Sequence, residues 1–402
     1  MSKNTKNEGE KPSNDNQNSK KGEISVKRLE MELTKAFDFR NNIILNKIEY
    51  KYLCDLEYEP VNINSIYRYL HLNSIPIGLS KLKTILGSDF VVEYNPIIDY
   101  FTKIAPIYDE DVHEDYIHKF LSYCDVEDLD LFVRTFKVWM TNTIKTIFEE
   151  KSINKTIYVL FNATQNSGKT TFVRFVFPDD LREYTFENQL DDTKDGKITL
   201  TKAAFHILDE MVALSQMGME SFKAMISKDK IDLRPPYGIN NISKSRITSF
   251  IGTSDRFGFL KEDVGTARFI VQEVKKIDFN YSKDINPDIL WSQAYQYYKN
   301  KEYLSFLSDD SKTVQENNKR FIRTSFISEA ISEIIIPSNK EEGVFMQANE
   351  IVLKLKMNNH HLSISDRKIG DALNFIGFER VRHYNSERKM TLTGYYVKFI
   401  NS

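Results

Sequence analysis

Cysteine is scarce in this chain: Cys54 and Cys124 are the only two among 402 residues, far apart and without His or Cys at metal-ligand spacing. That excludes a disulfide framework and a zinc site, and both thiols read as buried bystanders. Long apolar runs are missing too, since no stretch approaches the ~18 apolar residues of a membrane span. The polar opening MSKNTKNEGEKPSNDNQNSKKGE lacks the apolar segment of a secretory leader, so the expectation is a cytoplasmic protein with no membrane partner. Charge of one sign is lacking as well. A net charge of −2 exerts no whole-molecule pull on nucleic acid, so any such contact must come from local excess. Two segments have one: Ile226 to Thr248 carries Lys228, Lys230, Arg234, Lys244 and Arg246 against two Asp, and Val344 onward carries nine Lys/Arg against five acids. Local excess is what counts, because phosphate attraction fades over a Debye length of ~8 Å.

What is present begins with Ala163-Thr-Gln-Asn-Ser-Gly-Lys-Thr170, set between the apolar run Thr156 to Phe161 and the helix-like Thr171-Phe-Val-Arg-Phe-Val. Strand, glycine-containing loop, Lys-Thr and helix in that order read as a phosphate-binding loop. Backbone N–H groups of residues 163 to 171 (Ala163, Gln165, Asn166, Ser167, Gly168, Lys169, Thr170, Thr171) would line the phosphates. Lys169 would reach the β/γ oxygens and Thr170 would supply a hydroxyl to Mg²⁺. Ala163 and Asn166 stand where glycines are usual; alanine is small, and asparagine tolerates positive φ better than other non-glycine residues. Forty positions after Lys169, the apolar strand Ala204-Phe-His-Ile-Leu ends in Asp209-Glu210. A carboxylate there serves the Mg²⁺ shell and the next acid polarises water, which assigns Asp209 to metal and Glu210 to catalysis. A third strand, Ile247 to Thr253, ends in Ser254-Asp255, either of which is a candidate to sense the γ-phosphate. Arg268, in Val264-Gly-Thr-Ala-Arg-Phe-Ile270, is the candidate arginine for a neighbouring subunit's γ-phosphate, with Arg256 as the runner-up.

Composition and periodicity divide the chain into a polar, disordered tail (1–23), a small α/β accessory domain (24–94), a helical region (95–150), an α/β ATPase core with lid (151–336) and a C-terminal unit (344–402). In the accessory domain, Val26, Leu29, Leu33, Ala36 and Phe37 predict a helix, and Asn42 to Leu53 reads as strand. Phe132, Phe136, Trp139, Met140 and Ile144 make a helix-spaced stripe that reads as core. The final unit shows helix, helix and hairpin, the order of a winged helix, with Arg367 and Lys368 on the second helix and Arg388 and Lys389 at the hairpin turn as duplex contacts. Between the acid pair and the third strand, Ser227 to Arg246 reads as a basic hairpin around Pro235-Pro-Tyr-Gly.

Taken together, these segments resemble the virulence-associated protein E family, helicase-like AAA+ ATPases of phages, plasmids and genomic islands. The resemblance rests on Asn95-Pro-Ile-Ile-Asp-Tyr, Gln165-Asn-Ser-Gly-Lys-Thr-Thr-Phe, Leu208-Asp-Glu, Arg234-Pro-Pro-Tyr-Gly, Phe250-Ile-Gly-Thr-Ser-Asp, Gly265-Thr-Ala-Arg-Phe and Leu290-Trp-Ser-Gln-Ala-Tyr. It implies an AAA+ P-loop core, ATP and Mg²⁺ as cofactors, a homo-hexameric ring with ATP between subunits, single-stranded DNA in a central channel and a separate primase. On that reading Lys228, Lys230, Arg234 and Lys244 sit on a DNA-tracking hairpin like that of superfamily 3 helicases. Departures at Ala163, Asn166, Asp255 and Ala267 bear on turnover more than on nucleotide binding. The rival reading is a regulatory ATPase switch that assembles on DNA or a partner without unwinding.

Overall fold

The computed structural model describes residues 24–187, 190–191, 193–211, 219–233, 242–261, 266–323, 326–358, 369–370, 372–373, 376–385 and 389–400. The tail 1–23 and the candidates Arg234, Arg367, Lys368 and Arg388 lie outside the described residues. Contacts divide the chain into two compact units, Met1–Pro96 and Ile97–Ser402.

In the first unit, strands run in the order Glu59–Pro60, Lys47–Tyr52, Phe37–Asn42, Val92–Tyr94, the last pairing parallel and the others antiparallel. Helices Val26–Thr34, Ile63–Leu72 and Leu79–Leu86 bury Leu29, Leu33, Ile66, Leu70 and Leu82 together with Phe37, Phe39 and Tyr50. The expected helix through Phe37 is corrected here. Helix ends at Thr34, and Phe37-Asp-Phe-Arg alternates buried and half-buried residues as the first strand. Period-two alternation overrides the helical spacing of a single phenylalanine. Cys54 is also corrected: it is exposed, on the turn after a strand, whereas Cys124 is buried. Burial alone pushes the Cys124 thiol far above its ordinary pKa.

The second unit is built on a five-stranded sheet. Its strands are labelled in chain order β1 (Ile157–Phe161), β2 (Thr185–Phe186), β3 (Phe205–Leu208), β4 (Ser249–Ser254) and β5 (Phe269–Glu273). Spatial order is β5-β1-β4-β3-β2 and every pairing is parallel. The described side chains of β1, β3 and β4 are all buried, as a parallel sheet covered on both faces requires. Register levels Phe161 with Ser254 and Glu273, and Leu208 with Gly252, so the segments leaving β1, β3 and β4 emerge along one edge.

Helix Leu129–Phe148 packs against this sheet, capped by Asp128, whose carboxylate accepts the Leu131 N–H at 2.8 Å. Its stripe of Phe132, Phe136, Trp139, Met140 and Ile144 is core. Trp139 Nε1 donates to the Phe250 carbonyl at 3.0 Å, tying the helix to β4. Buried Lys137 is held by Asp115 and lies over the rings of Tyr297 and Tyr303, so its charge is partnered rather than stranded.

Toward the C-terminus, Met390–Phe399 pairs antiparallel with Ile335–Pro337, Val344–Met346 and Val381–Asn385. Helix Ala348–Asn358 and residues around Ile369 and Leu373 bury Ile351, Leu355, Ile369 and Leu373 against Tyr395 and Val397. Lys389 is exposed in the hairpin turn at φ 47°, in the left-handed region. Among the described residues, no helix is long and apolar enough to cross a membrane.

Candidate functional site

The carboxyl ends of β1, β3 and β4 enclose a cleft of about 520 Å³. In open parallel sheets ligands bind in the crevice outside the carboxyl ends of the strands, and this cleft lies there. Its walls come from residues 165–171 after β1, Asp209 and Glu210 after β3, and Thr253, Ser254 and Asp255 ending β4. Arg174 and Phe279 complete it.

The loop after β1 is shaped by backbone geometry that its sequence allows. Asn166 (φ 56°) and Gly168 (φ 87°) both occupy the left-handed region, and glycine and asparagine are the residues that bear it at least cost. Asn162 braces the start, its Nδ2 donating to the Val274 carbonyl at 2.7 Å and its Oδ1 accepting the Thr164 N–H at 2.7 Å. Lys169 curls inside the loop, donating to the Asn162 and Thr164 carbonyls (3.0 and 3.2 Å) and to Ser167 Oγ (3.0 Å). It is 8% exposed, and burial lowers its proton affinity while Asp255, Asp209 and Glu210 act the other way.

Two hydroxyls converge on one carboxylate oxygen. Thr170 Oγ1 and Thr253 Oγ1 each donate to Asp209 Oδ1 at 2.8 Å. Thr253 Oγ1 also accepts the Glu210 N–H at 3.2 Å, which steadies a residue whose φ of 50° is unusual for glutamate. Glu210 and Asp209 are exposed to the cleft. Asp255 accepts from Gln165 Nε2 at 3.2 Å, joining the β4 end to the loop, and Arg256 lies 3.7 Å from its other oxygen. Ser254, by contrast, is 1% exposed and spends its hydroxyl on the Arg256 backbone. Of the two sensor candidates, Asp255 is the one directed at the loop.

Arg268 is not in this cleft. Phe269 pairs with Ile157, so Arg268 enters β5 at the amino-terminal edge, about 13 Å of strand away from the cleft edge. The basic hairpin also springs from that far edge. Lys230–Leu233 and Ile242–Ser245 pair antiparallel, with Lys230 opposite Ser245 and Ile231 opposite Lys244. Lys228 and Lys230 are exposed, whereas Lys244 is half-buried and has its proton affinity lowered by burial and then by Lys202.

Sequence reading missed three residues of the cleft. Thr253 lay inside a quoted strand, but its role depends on β4 lying beside β3. Arg174 Nε and Nη2 clasp Glu187 at 2.8 and 2.7 Å on the cleft wall, a pairing that spans a turn of chain. Phe279 returns from beyond β5; its only signal was one of two aromatic residues, with Tyr281, in the turn Asp278 to Ser282.

The fold and site together define a parallel α/β protein with a polar, carboxylate-bearing cleft at the carboxyl ends of its strands. Residues 109–323 match the virulence-associated protein E-like domain, more than half of the chain, and the protein belongs to that family. No curated protein matches it. Among solved structures, two apo structures of the NrS-1 C-terminal region (305–718) are similar, at 12% and 11% identity and TM-score 0.46 for both. The likeness covers 91% and 92% of this chain and 97% and 98% of those. At that identity and superposition nothing about function follows from the likeness.

Proposed function

We propose that the protein is an ATP- and Mg²⁺-dependent P-loop ATPase of the AAA+ kind, acting as a DNA helicase or translocase in the replication of a phage, plasmid or genomic island. The observation that carries this is the meeting of Thr170 and Thr253 on Asp209, beside a loop that gathers Lys169 inward. Residues 39 and 44 positions from Asp209 are brought within hydrogen-bonding distance of it where a triphosphate would lie. The oxygen donors of Thr170 and Asp209 suit a hard cation, which commonly takes one or two protein oxygens and completes its shell with phosphate and water. When bound, Mg²⁺ supplies neutralisation of the β/γ-phosphate charge. Lys169 exchanges its three loop acceptors for phosphate oxygens, Glu210 orients and deprotonates the attacking water, and Asp255, held by Gln165, adjoins the γ-phosphate position.

Arg268 completes the site of a neighbouring subunit in a homo-hexameric ring, a reading supported by its place at the edge remote from its own cleft. Lys228 and Lys230, together with Arg234, engage single-stranded DNA in the central channel. Contact with backbone phosphate suits a motor because it ignores sequence. The C-terminal helix and hairpin form a winged-helix-like duplex contact, and a separate protein supplies primase activity.

The test is a pair of substitutions that separate binding from chemistry. Lys169→Ala is expected to abolish ATP turnover, and Glu210→Gln to retain ATP binding but stall hydrolysis. Parental turnover in the Glu210→Gln protein would remove the water-activating role. A wild-type protein whose ATP hydrolysis responds to DNA without fork unwinding would favour the switch over the motor.

A further inference from the structure

One residue lining the cleft has no task in the chemistry above. Phe279 is 53% exposed, yet the other side chains lining the cleft are all polar. A phenylalanine left half in water forgoes much of the burial it would obtain in a core. Its position is nevertheless fixed. The Phe279 carbonyl accepts from Ser282 N–H (3.2 Å) and Ser282 Oγ (2.9 Å), and Asp278 Oδ1 accepts the Asn280 N–H at 3.0 Å. Tyr281, 1% exposed, pins this turn to helix Lys169–Phe175 through ring contacts with Phe172 (5.0 Å) and Phe175 (4.9 Å). The Phe279 ring therefore stands over the end of the loop, so close that a Cβ at Gly168 would collide with it.

We propose that Phe279 stacks on the base of the bound nucleotide, making the ligand a purine nucleoside triphosphate rather than a bare polyphosphate. This rests on the reading of the cleft as a triphosphate site. On a turn fixed through its backbone, the ring meets Tyr281 (ring centroids 6.2 Å apart) and Gly168 yet remains half exposed at the polar cleft, so a flat apolar surface arriving with the phosphates would cover what is left open. Stacking reads no base edge, so it favours purines for their area and tolerates both of them.

The experiment compares Mg-ATP, Mg-GTP and inorganic tripolyphosphate on the full chain, by calorimetry, for wild type, Phe279→Ala and Phe279→Trp. Stacking predicts that Phe279→Ala weakens ATP and GTP by roughly 5- to 150-fold while tripolyphosphate affinity stays the same. Phe279→Trp restores nucleotide affinity, and its new indole is quenched by ATP but not by tripolyphosphate. Thermal melts of both variants establish that they fold, which the exposure of the ring leads one to expect. Equal loss for nucleotide and tripolyphosphate, or no loss for either, overturns the stacking role while leaving the phosphate site intact. A wild-type protein that binds neither ligand overturns the phosphate site itself, and the stacking role with it.

Discussion

Thr253 is the sharpest test of how the cleft works. Its hydroxyl does two things at once: it donates to Asp209 Oδ1 at 2.8 Å and accepts the Glu210 N–H at 3.2 Å. Thr253→Val keeps the shape of a side chain that is 1% exposed and removes both bonds. A hydrogen bond to a charged carboxylate is worth about 1.5–3 kcal/mol and an unpaired N–H costs about 1–3 kcal/mol. Asp209 and Glu210 are open to solvent, so water replaces part of what is lost, and about 2 kcal/mol is the reasonable expectation. If that energy orients the two acids, it appears in kcat, as a fall of about 30-fold. ATP affinity, which the proposed function assigns to Lys169 and the loop, should change little. Thr253→Ser, which restores the hydroxyl, should recover most of the rate. Steady-state turnover together with direct ATP binding measures both quantities. Parental kcat in the valine variant, or a serine variant as slow as valine, would refute the orienting role; loss of ATP binding in step with rate would mean that Thr253 shapes the loop instead.

Three further outcomes are expected. Mixing Arg268→Ala with Lys169→Ala subunits should recover ATP turnover that neither has alone, since Arg268 stands at the edge away from its own cleft; continued inactivity in intact mixed rings would count against action in trans. Replacing Lys228 and Lys230 with Ala should flatten the salt dependence of single-strand binding by about 1.4 log units per log salt, at ~0.7 for each phosphate contact, while basal turnover survives. An unchanged slope, read by titration at several salt concentrations, would put the strand elsewhere. Thiol titration of the native protein should show Cys54 reacting readily and Cys124 only after unfolding, because Cys124 is buried and burial disfavours its thiolate.

The legible parts of the cleft were those whose chemistry is local in sequence. Lys169 and Thr170 adjoin the glycine that turns their loop, and Asp209 follows the strand that aims it, so a few consecutive residues announce each one. Asn166 was legible too, because its tolerance of positive φ is intrinsic to the residue, and it is found at φ 56°. Thr253 and Phe279 were not, since each acquires its role from a neighbour far along the chain. Thr253 meets Asp209 only because β4 is inserted beside β3, and Phe279 meets Gly168 only because the turn after β5 comes back over the loop. Phe37 shows the local failure: one phenylalanine fits both a helical stripe and a strand, and the residues after it settle the matter by alternating.

A buried arginine that sequence counting placed among the basic residues of the hairpin has a different place in the molecule. Arg246 is 0% exposed, and its guanidinium donates to the carbonyls of Lys228 (3.1 Å), Asn154 (3.0 Å) and Thr248. Burial lowers its pKa to about 10, so it stays charged at neutral pH, and the three carbonyls offset the cost of keeping that charge out of water. Those carbonyls belong to the hairpin base, the segment leading into β1, and the entry to β4. Arg246 thus fastens the hairpin to the amino end of the strand whose other end carries Thr253 and Asp255. Six residues of buried strand, about 20 Å long, separate the two ends. A strand hydrogen-bonded on both sides does not bend easily, so displacement at one end is carried to the other as a shift of the whole strand rather than absorbed between them. On the proposed motor reading this is the required property: a change at Asp255 would reach the hairpin base, where Arg246 holds the Lys228 carbonyl, and the exposed arm bearing Lys230 would be left to follow a strand of DNA.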